Sequence, residues 1–222
     1  MATTKVVDII DRASIILQDV AHVRFPEAEL LKFFNDAQRE VVLLRPDANM
    51  QNATMTCAAG SKQTIPAIGL RLVNVIRNVG GRAITQVDRQ ILDETLPDWH
   101  QSVADVTRKI EHFIFDPADP KHFYVYPAAL SSFVLEVLYS SLPTPISISN
   151  FGTDTTVISL DDIYANCLLD YILYRSYQKD AEFSGNAQKA VMHYQGFTSA
   201  LGSKTQVDGA LTPTPNINQG RG

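Results

Sequence analysis

The stretch LDDIYANCLLDYILYRSYQKDAEF, residues 160–183, decides the architecture of the chain. Its apolar residues recur at helical spacing and leave little polar face, and a helix that is apolar nearly all round is buried on several sides. Ser159 and Asp162 match a capping box and predict where the helix begins. We predict a helix over 160–183 that either lies at the centre of the chain's own core or packs against another subunit.

Because this helix carries several tyrosines, contact with a second subunit explains its apolar pattern as well as burial in the chain's own core does. Tyrosine suits positions where one end of the ring stays polar, which is common at subunit interfaces. Asp170 lies among apolar residues and needs a partner, which either Arg175 or an adjacent subunit supplies. The predicted subunit-interface residues are Tyr164, Asp170, Tyr171, Tyr174, Arg175 and Tyr177.

Three further helices are predicted around this stretch. Residues 4–19 carry apolar residues near helical spacing. A second helix starts at Pro26, which suits a first turn, and ends before Pro46, because a proline pushes the preceding residue out of the helical region. A fourth helix runs from Ser184 toward Gly202. Its predicted buried face holds Ala187, Ala190, Val191, Tyr194, Phe197 and Leu201.

Between residues 50 and about 140 the pattern becomes that of strands. ATMTC and KQTIP flank a short loop with a glycine, LRLVNVIRNV and RAITQV flank Gly80 and Gly81, and HFIFDP and HFYVYP flank a proline-bounded turn. Each pair predicts a hairpin. SFVLEVLYSSLP predicts a last strand, and VDRQILDETLPDW predicts a short helix that stops before Pro97.

These patterns predict an α+β fold: a four-helix bundle made of N- and C-terminal helix pairs, with an inserted antiparallel β unit and an extended C-terminal arm. Residues 1–48 and 159–203 form the predicted bundle domain, and residues 49–158 form the inserted β domain. Residues 204–222 form the predicted arm, whose Gly, Pro, Asn and Thr content is that of a segment that does not fold by itself.

Composition narrows the class of protein. The 222 residues carry a net charge of −5, and their 19% charged residues fall below the roughly 25% of typical soluble domains, which indicates a surface partly covered by a partner. Thinly spread Lys and Arg argue against binding nucleic acid mainly through phosphates. No apolar run approaches the roughly 18 residues that cross a bilayer, and the N-terminus lacks a signal-peptide pattern. The sequence indicates an intracellular or particle-bound protein.

Metal and nucleophile chemistry have weak support in the sequence. His112 and His122 could face one another across the FDPADP turn beside Glu111, but their spacing favours side chains that simply pack across strands. Cys57 and Cys167 lie outside any motif that would activate a thiolate. GxSxG, P-loop, GxGxxG and HExxH motifs do not occur. We predict no catalytic, cofactor or metal site.

Carboxylates at the start of the 160–183 helix allow a second interpretation. Asp161 and Asp162 suit a helix N-terminus, and Asp162, Asn166 and Asp170 follow one another four residues apart. A metal-dependent hydrolase could use Asp161, Asp162 and Asp170, but helical geometry separates Asp161 from Asp170. Burial and pairing are the commoner reason for such a pattern.

Four segments carry a resemblance to a known family: FPEAELLKFFNDAQREVVLLRPDA, GLRLVNVIRNVGGRAITQVDRQILDETLPDWH, FDPADPKHFYVYPA and LDDIYANCLLDYILYRSYQKDAEFSGNAQKAVMHYQGF. Together they resemble head-to-tail adaptor (connector) proteins of tailed bacteriophages, particularly short-tailed ones, over about residues 4–202. The resemblance implies a helical bundle with a β insertion, assembled as a ring, commonly of twelve copies, beneath the portal. The ring extends the DNA channel and offers its lower face to the tail nozzle. The resemblance implies no catalytic residue.

The resemblance also implies partners and a location. Expected partners are further copies of the chain, the portal protein and a tail nozzle or tail tube protein, while genomic DNA passes through without specific binding. We expect the protein in the virion neck, assembled in the host cytoplasm. In relatives the C-terminal segment grips the portal. The apolar and proline positions expected to do so here are Val207, Leu211, Pro213, Pro215 and Ile217.

One alternative of the same class is a different neck or tail component, such as a completion protein or nozzle subunit. It would differ in whether the portal or the tail tube is the partner.

Overall fold

The computed structural model describes residues 2–101, 109–183 and 185–211, with side chains as far as residue 204. The predicted α+β class is confirmed. The described helices are α1 (Val6–Ile16), α2 (Glu27–Leu44), α3 (Arg89–Thr95), α4 (Ala165–Lys179) and α5 (Asn186–Leu211). The described strands are β1 (Met50–Thr56), β2 (Gly60–Thr64), β3 (Gly69–Asn78), β4 (Thr85–Gln86), β5 (His112–Phe115), β6 (His122–Ala129) and β7 (Val134–Ser141).

The chain divides into two compact units. A helical unit comprises the residues up to Arg45 and from Thr144 onward, and a β unit comprises Pro46–Pro143. The polar segment between β7 and α4 therefore makes its contacts with the helices.

In the helical unit, α4 is the central element. It packs against α1, α2 and α5, and Leu168 and Ile172 on it are fully buried. Burial of this apolar helix by the chain's own helices accounts for its sequence pattern without a second subunit. The other fully buried large side chains of this unit come from all three neighbours of α4: Ile9, Ile10, Leu30, Phe34 and Phe197.

The predicted capping box at the start of the 160–183 helix does not form. Residues Asp162–Tyr164 make a 3₁₀ turn, and the α-helix begins at Ala165. Ser159 instead donates its backbone N–H to Gln38 Oε1, at 3.0 Å, and the carboxylate of Asp162 binds the N-terminal residues of the chain. The hydroxyl of Ser159 donates to the carbonyl of Thr144 at 3.2 Å, so tertiary hydrogen bonds have taken both side chains away from the local motif.

The β unit holds two sheets. One has the order β1-β7-β3 and is antiparallel, and the other has the order β2-β6-β5-β4. The predicted all-antiparallel unit is wrong in one pair, because β4 pairs with β5 in parallel. The core of this unit is aliphatic and aromatic, and its most deeply buried members are Leu72, Val75, Ile110, Phe123, Val125, Leu135 and Val137.

The first predicted hairpin is wrong. β1 pairs with β7 and β2 pairs with β6, so the loop between β1 and β2 carries the chain from one sheet to the other. Gln63, which is 1% exposed, closes this corner by accepting from the N–H of Ala58 and donating to its carbonyl, both at 2.8 Å. Gly60 takes a φ of +109°, which favours glycine.

The second hairpin forms at its turn and over the residues next to it. Asn78 N–H donates to the carbonyl of Arg82 at 3.0 Å, Arg77 and Ala83 form an antiparallel bridge, and Ile84 N–H donates to the carbonyl of Ile76 at 3.1 Å. The chain then leaves β3 and forms β4 beside β5. The third hairpin, β5–β6, is confirmed, as is the short helix α3.

The fourth predicted helix is longer than expected. It begins at Asn186 and continues past Gly202 to Leu211, so the first part of the predicted extended arm is helical. Residues 212–222 of the arm lie outside the described residues.

Candidate assembly surfaces

An aromatic ladder joins α4 to α5. The ring centroids of Tyr171 and Phe197 lie 5.3 Å apart in an edge-to-face arrangement, and those of Tyr174 and Tyr194 lie 4.9 Å apart. Edge-to-face pairs add stability beyond the area they bury. The ladder runs from the buried Tyr171 to the exposed Tyr194, which is 38% exposed.

The predicted subunit-interface residues are spread between the core and the surface of the helical unit. Tyr164 and Tyr171 are buried, at 3% and 8% exposure. The other four are half-buried along α4: Asp170, Tyr174, Arg175 and Tyr177.

The partner of Asp170 was predicted to be Arg175 or another subunit, and the Arg175 alternative is wrong. His193 on α5 places its Nδ1 3.0 Å from Asp170 Oδ1. The ring of His193 also stacks on Tyr177, with centroids 5.7 Å apart. Arg175 instead donates to Gln178 Oε1 at 3.2 Å. A partner 23 residues away on another helix leaves no local signal, which is why sequence reasoning missed it.

The outer face of α5 carries uncovered apolar side chains. Val191, Met192 and Tyr194 are 49%, 61% and 38% exposed. The sequence pattern places Val191 and Tyr194 on the buried face. The described side chains that α5 buries are instead Ala190, Phe197 and Leu201, which follow one another at intervals of one or two helical turns. Val191 and Tyr194 lie one turn apart, and exposed apolar side chains that lie together mark contact surfaces. This face of the helical unit is therefore a candidate surface for contact with another protein.

The arm positions fall at the end of the described chain. Val207 and Leu211 lie within the helical range of α5, and their side chains are outside the description. Pro213, Pro215 and Ile217 lie outside the described residues.

The histidines weighed as metal ligands are held apart by the strand register. His112 pairs with Tyr126 on β6, and His122 pairs with Thr64 on β2. Each ring has a partner of its own: His112 Nδ1 lies 2.7 Å from the hydroxyl of Thr85, and His122 Nδ1 lies 2.7 Å from Asp119 Oδ1. Across the part of the chain that the structure describes, no group of three His, Cys, Asp or Glu side chains could hold a metal ion.

The carboxylates weighed as catalytic groups also have separate tasks. Asp162 accepts from the backbone N–H of Thr3 and of Thr4, at 2.9 and 2.8 Å, and these donors hold its pKa well below the usual range. Asp170 engages His193 from a position about 12 Å further along the helix axis. Burial raises the pKa of the Cys57 thiol to about 11 and raises that of Cys167, so both thiols are protonated at neutral pH.

Comparison with known proteins gives the family. The family model described as SU10 adaptor protein matches residues 4–217, a span that takes in both units and most of the arm. None of the curated proteins gives a significant match. None of the described helices combines the length and apolar character that crossing a membrane requires. The resemblance drawn from the four sequence segments is confirmed: the chain belongs to the SU10 adaptor protein family of phage head-to-tail adaptors and is a structural component of the virion neck.

Proposed function

We propose that this protein forms a ring that joins the portal to the tail and extends the channel through which the DNA passes. The match of the family model to nearly the whole chain is the observation that carries this proposal. The ring is a homo-oligomer, by the family resemblance a dodecamer. It binds the portal on one face and a tail nozzle or tail tube protein on the other, and it assembles in the host cytoplasm.

The subunit contact in this ring uses the surface formed by α4 and α5. Val191, Met192 and Tyr194 on α5 supply uncovered apolar area, which contact with a neighbouring copy would remove from water. The aromatic ladder continues from Tyr194 to the interior, so a neighbour that packs there contacts a rigid support. The remaining proposed interface residues are Tyr164, in the turn before α4, and five residues of α4: Asp170, Tyr171, Tyr174, Arg175 and Tyr177.

The arm provides the portal contact. A helix that continues to Leu211 presents Val207 and Leu211 ahead of the proline-containing segment. Ordering such a segment costs conformational entropy, and many copies in one ring compensate by avidity. The proposed portal-binding residues are Val207, Leu211, Pro213, Pro215 and Ile217.

The channel wall is acidic or neutral in this proposal. The net charge of −5 and the thin spread of Lys and Arg fit a conduit along which DNA must slide, because many Lys and Arg contacts to phosphate would hold it.

Mass photometry of the purified protein, alone and with portal rings, tests the proposal. The full-length protein is expected to add a near-stoichiometric ring to each portal, and a variant lacking residues 206–222 is expected to lose this attachment while it stays folded. If the full-length protein leaves the portal unchanged and binds the tail tube instead, the protein is a different neck or tail component, such as a nozzle or completion protein.

The subunit contact has its own test. Met192→Glu places a charge in the uncovered apolar face and is expected to abolish ring formation. Gln90→Glu adds the same charge at an exposed polar position of α3, in the β unit rather than on α5, and serves as the matched control. Equal loss of ring in both variants, or loss in neither, contradicts the proposed interface.

A further inference from the structure

The outer edge of β1 is the least protected strand edge of the β unit. β1 is the terminal strand of its sheet, and β7 occupies only one of its sides. Among the described residues, no strand, loop or side chain pairs with the backbone groups on its other side. Unpaired strand edges are templates for the addition of another strand, and proteins usually guard them with short length, bulges, charges or proline.

The two edges of the other sheet are guarded. β4 is two residues long. β2 has five residues, its register with β6 shifts between Gly60 and Lys62, and Lys62 places a charge on it.

β3, at the far side of the sheet from β1, is guarded in another way. Its register with β7 shifts at three places. Its outer side is also partly covered, because Asn78 N–H donates to the carbonyl of Arg82 and Leu72 N–H donates to that of Pro120, at 3.0 and 2.9 Å.

β1 has none of these devices. Its seven residues, Met50–Thr56, contain no charged residue and no proline, and all seven pair with β7 in an unbroken register. A strand of this length without a bulge offers a regular row of donors and acceptors.

The register shows which groups of β1 face outward. Cys57 N–H donates to the carbonyl of Phe133, so the odd-numbered residues of β1 bond to β7 and the even-numbered ones point away from it. Asn52, Thr54 and Thr56 therefore present free backbone groups, and their exposed side chains lie on the solvent face. Ala53 and Met55 lie on the opposite face and pack against the core.

A strand that docks on β1 must have two properties. Every second residue must supply an N–H toward β1, and in an antiparallel pair these same residues share the polar solvent face with Asn52 and Thr54. The residues between them lie on the core face and should be apolar. Proline is tolerated only at the core-facing positions, because the N–H groups of those residues would point away from β1 to solvent.

One segment of the chain has this pattern. Residues 212–218, TPTPNIN, alternate polar and apolar positions without a break. The polar positions keep their N–H, and both prolines fall on the apolar positions with Ile217. The segment follows directly after the end of α5 at Leu211.

Pairing of β1 with β1 of a second copy is less suitable. Such a contact is two-fold symmetric and joins copies in pairs, whereas a ring needs a contact between two different surfaces. An arm that reaches the next copy is of the second kind.

We propose that residues 212–218 of one copy add as an antiparallel strand to the outer edge of β1 of the neighbouring copy. This inference rests on the ring of the proposed function: the arm occupies β1 of the neighbouring copy before attachment, and Pro213, Pro215 and Ile217 leave that strand when they bind the portal. An arm ordered in this way has less conformational entropy to lose on portal binding. The prolines leave the outer edge of the added strand short of donors, so the sheet does not grow further.

Amide hydrogen exchange on the full-length protein, at a concentration where mass photometry shows the ring, tests this. The amides of Asn52, Thr54 and Thr56 are expected to be protected, and to exchange at least about tenfold faster in a variant lacking residues 212–222. The amide of Met55, which faces β7, is the internal control and should exchange alike in both.

Two single substitutions separate strand addition from other modes of docking. Asn216→Pro removes an N–H that faces β1 and is expected to remove the protection. Ile217→Pro removes an N–H that faces solvent, keeps an apolar side chain, and is expected to preserve it. Equal effects of the two substitutions overturn the proposal.

The outcomes distinguish this inference from the proposed function. If the amides of Asn52, Thr54 and Thr56 exchange rapidly in a ring that can still bind the portal, only the strand addition is overturned. Protected amides in a protein that does not bind the portal overturn the portal role and leave the strand addition standing.

Discussion

The backbone N–H of Thr4 donates to Asp162 Oδ1 at 2.8 Å, and this bond fastens the start of the chain to the turn that leads into α4. Thr3 adds its own N–H and its hydroxyl to the same carboxylate. Two backbone bonds run beside it, from Val6 N–H to the carbonyl of Thr156 and from Ile158 N–H to the carbonyl of Thr4, both 3.0 Å long. One side chain thus supports the pairing of two segments that are far apart in sequence.

Replacement of Asp162 by Asn should loosen this N-terminal attachment. An amide oxygen accepts fewer and weaker hydrogen bonds from these donors than a carboxylate does. We expect the melting temperature at pH 7 to fall by on the order of 3 °C, measured by circular dichroism. Asp161→Asn is the control, since it removes a neighbouring exposed carboxylate, and an equal loss in that variant contradicts the assignment.

The same carboxylate predicts an acid dependence. Its pKa is lowered in the folded protein by the donors of Thr3 and Thr4. Its contribution is therefore fully present above the unfolded pKa of about 3.9 and is lost as the pH falls below that value. The difference in melting temperature between the wild type and Asp162→Asn should shrink steadily as the pH falls below about 4, and a difference that persists unchanged to pH 2 would sink this prediction.

The Asp170–His193 contact should couple α4 to α5. Both side chains are partly exposed, so we expect a coupling of about 0.5 kcal/mol in a double-mutant cycle of Asp170→Asn and His193→Gln. Urea unfolding at low and high salt measures it, and high salt should reduce the coupling. Strictly additive effects of the two substitutions at low salt contradict the prediction.

The helices could be predicted because their signals are local. Pro26 and Pro46 bracket α2, and the apolar spacing around Leu168 identifies α4 as a helix buried on several sides. The strands could be found, but their partners could not. Alternation identifies a strand's two faces, whereas β1 and β2 find their partners more than fifty residues away in β7 and β6.

The candidate site was predictable to a smaller extent. Composition and spacing name residues of the arm and the tyrosines of α4 as candidates, which stay predictions, whereas the uncovered face of α5 has no signal in the sequence. The helical spacing places Val191 and Tyr194 on the buried face, and only the burial of Ala190, Phe197 and Leu201 shows which side of α5 is covered. The open edge of β1 depends on sheet order, which has no local signal.

The two cysteines should resist modification in the folded protein. Cys57 and Cys167 are buried, and burial raises both thiol pKa values, that of Cys57 to about 11. Since the thiolate is the nucleophile, we expect neither to react with Ellman's reagent at pH 8 within minutes, and both to react once urea unfolds the protein. Fast release of one thiol equivalent without urea would contradict the burial of that cysteine.

Phe197 should be the main anchor of α5. It is fully buried, and it lies edge-to-face with Tyr171 in the ladder that joins α5 to α4. Phe197→Ala is expected to lower the free energy of unfolding by about 3–5 kcal/mol, because it leaves a cavity beneath the helix. Val191→Ala, on the exposed face of the same helix, should change it by less than about 0.5 kcal/mol and is the matched control.

The two units allow this loss to be localised. Circular dichroism at 222 nm reports mainly the helices, while the fluorescence of Trp99, the single tryptophan of the chain, reports the β unit. If the units unfold independently, Phe197→Ala should shift the urea midpoint seen by circular dichroism and leave the Trp99 midpoint in place. Equal shifts would show that the units unfold as one, and a shift no larger than that of Val191→Ala would contradict the role of Phe197.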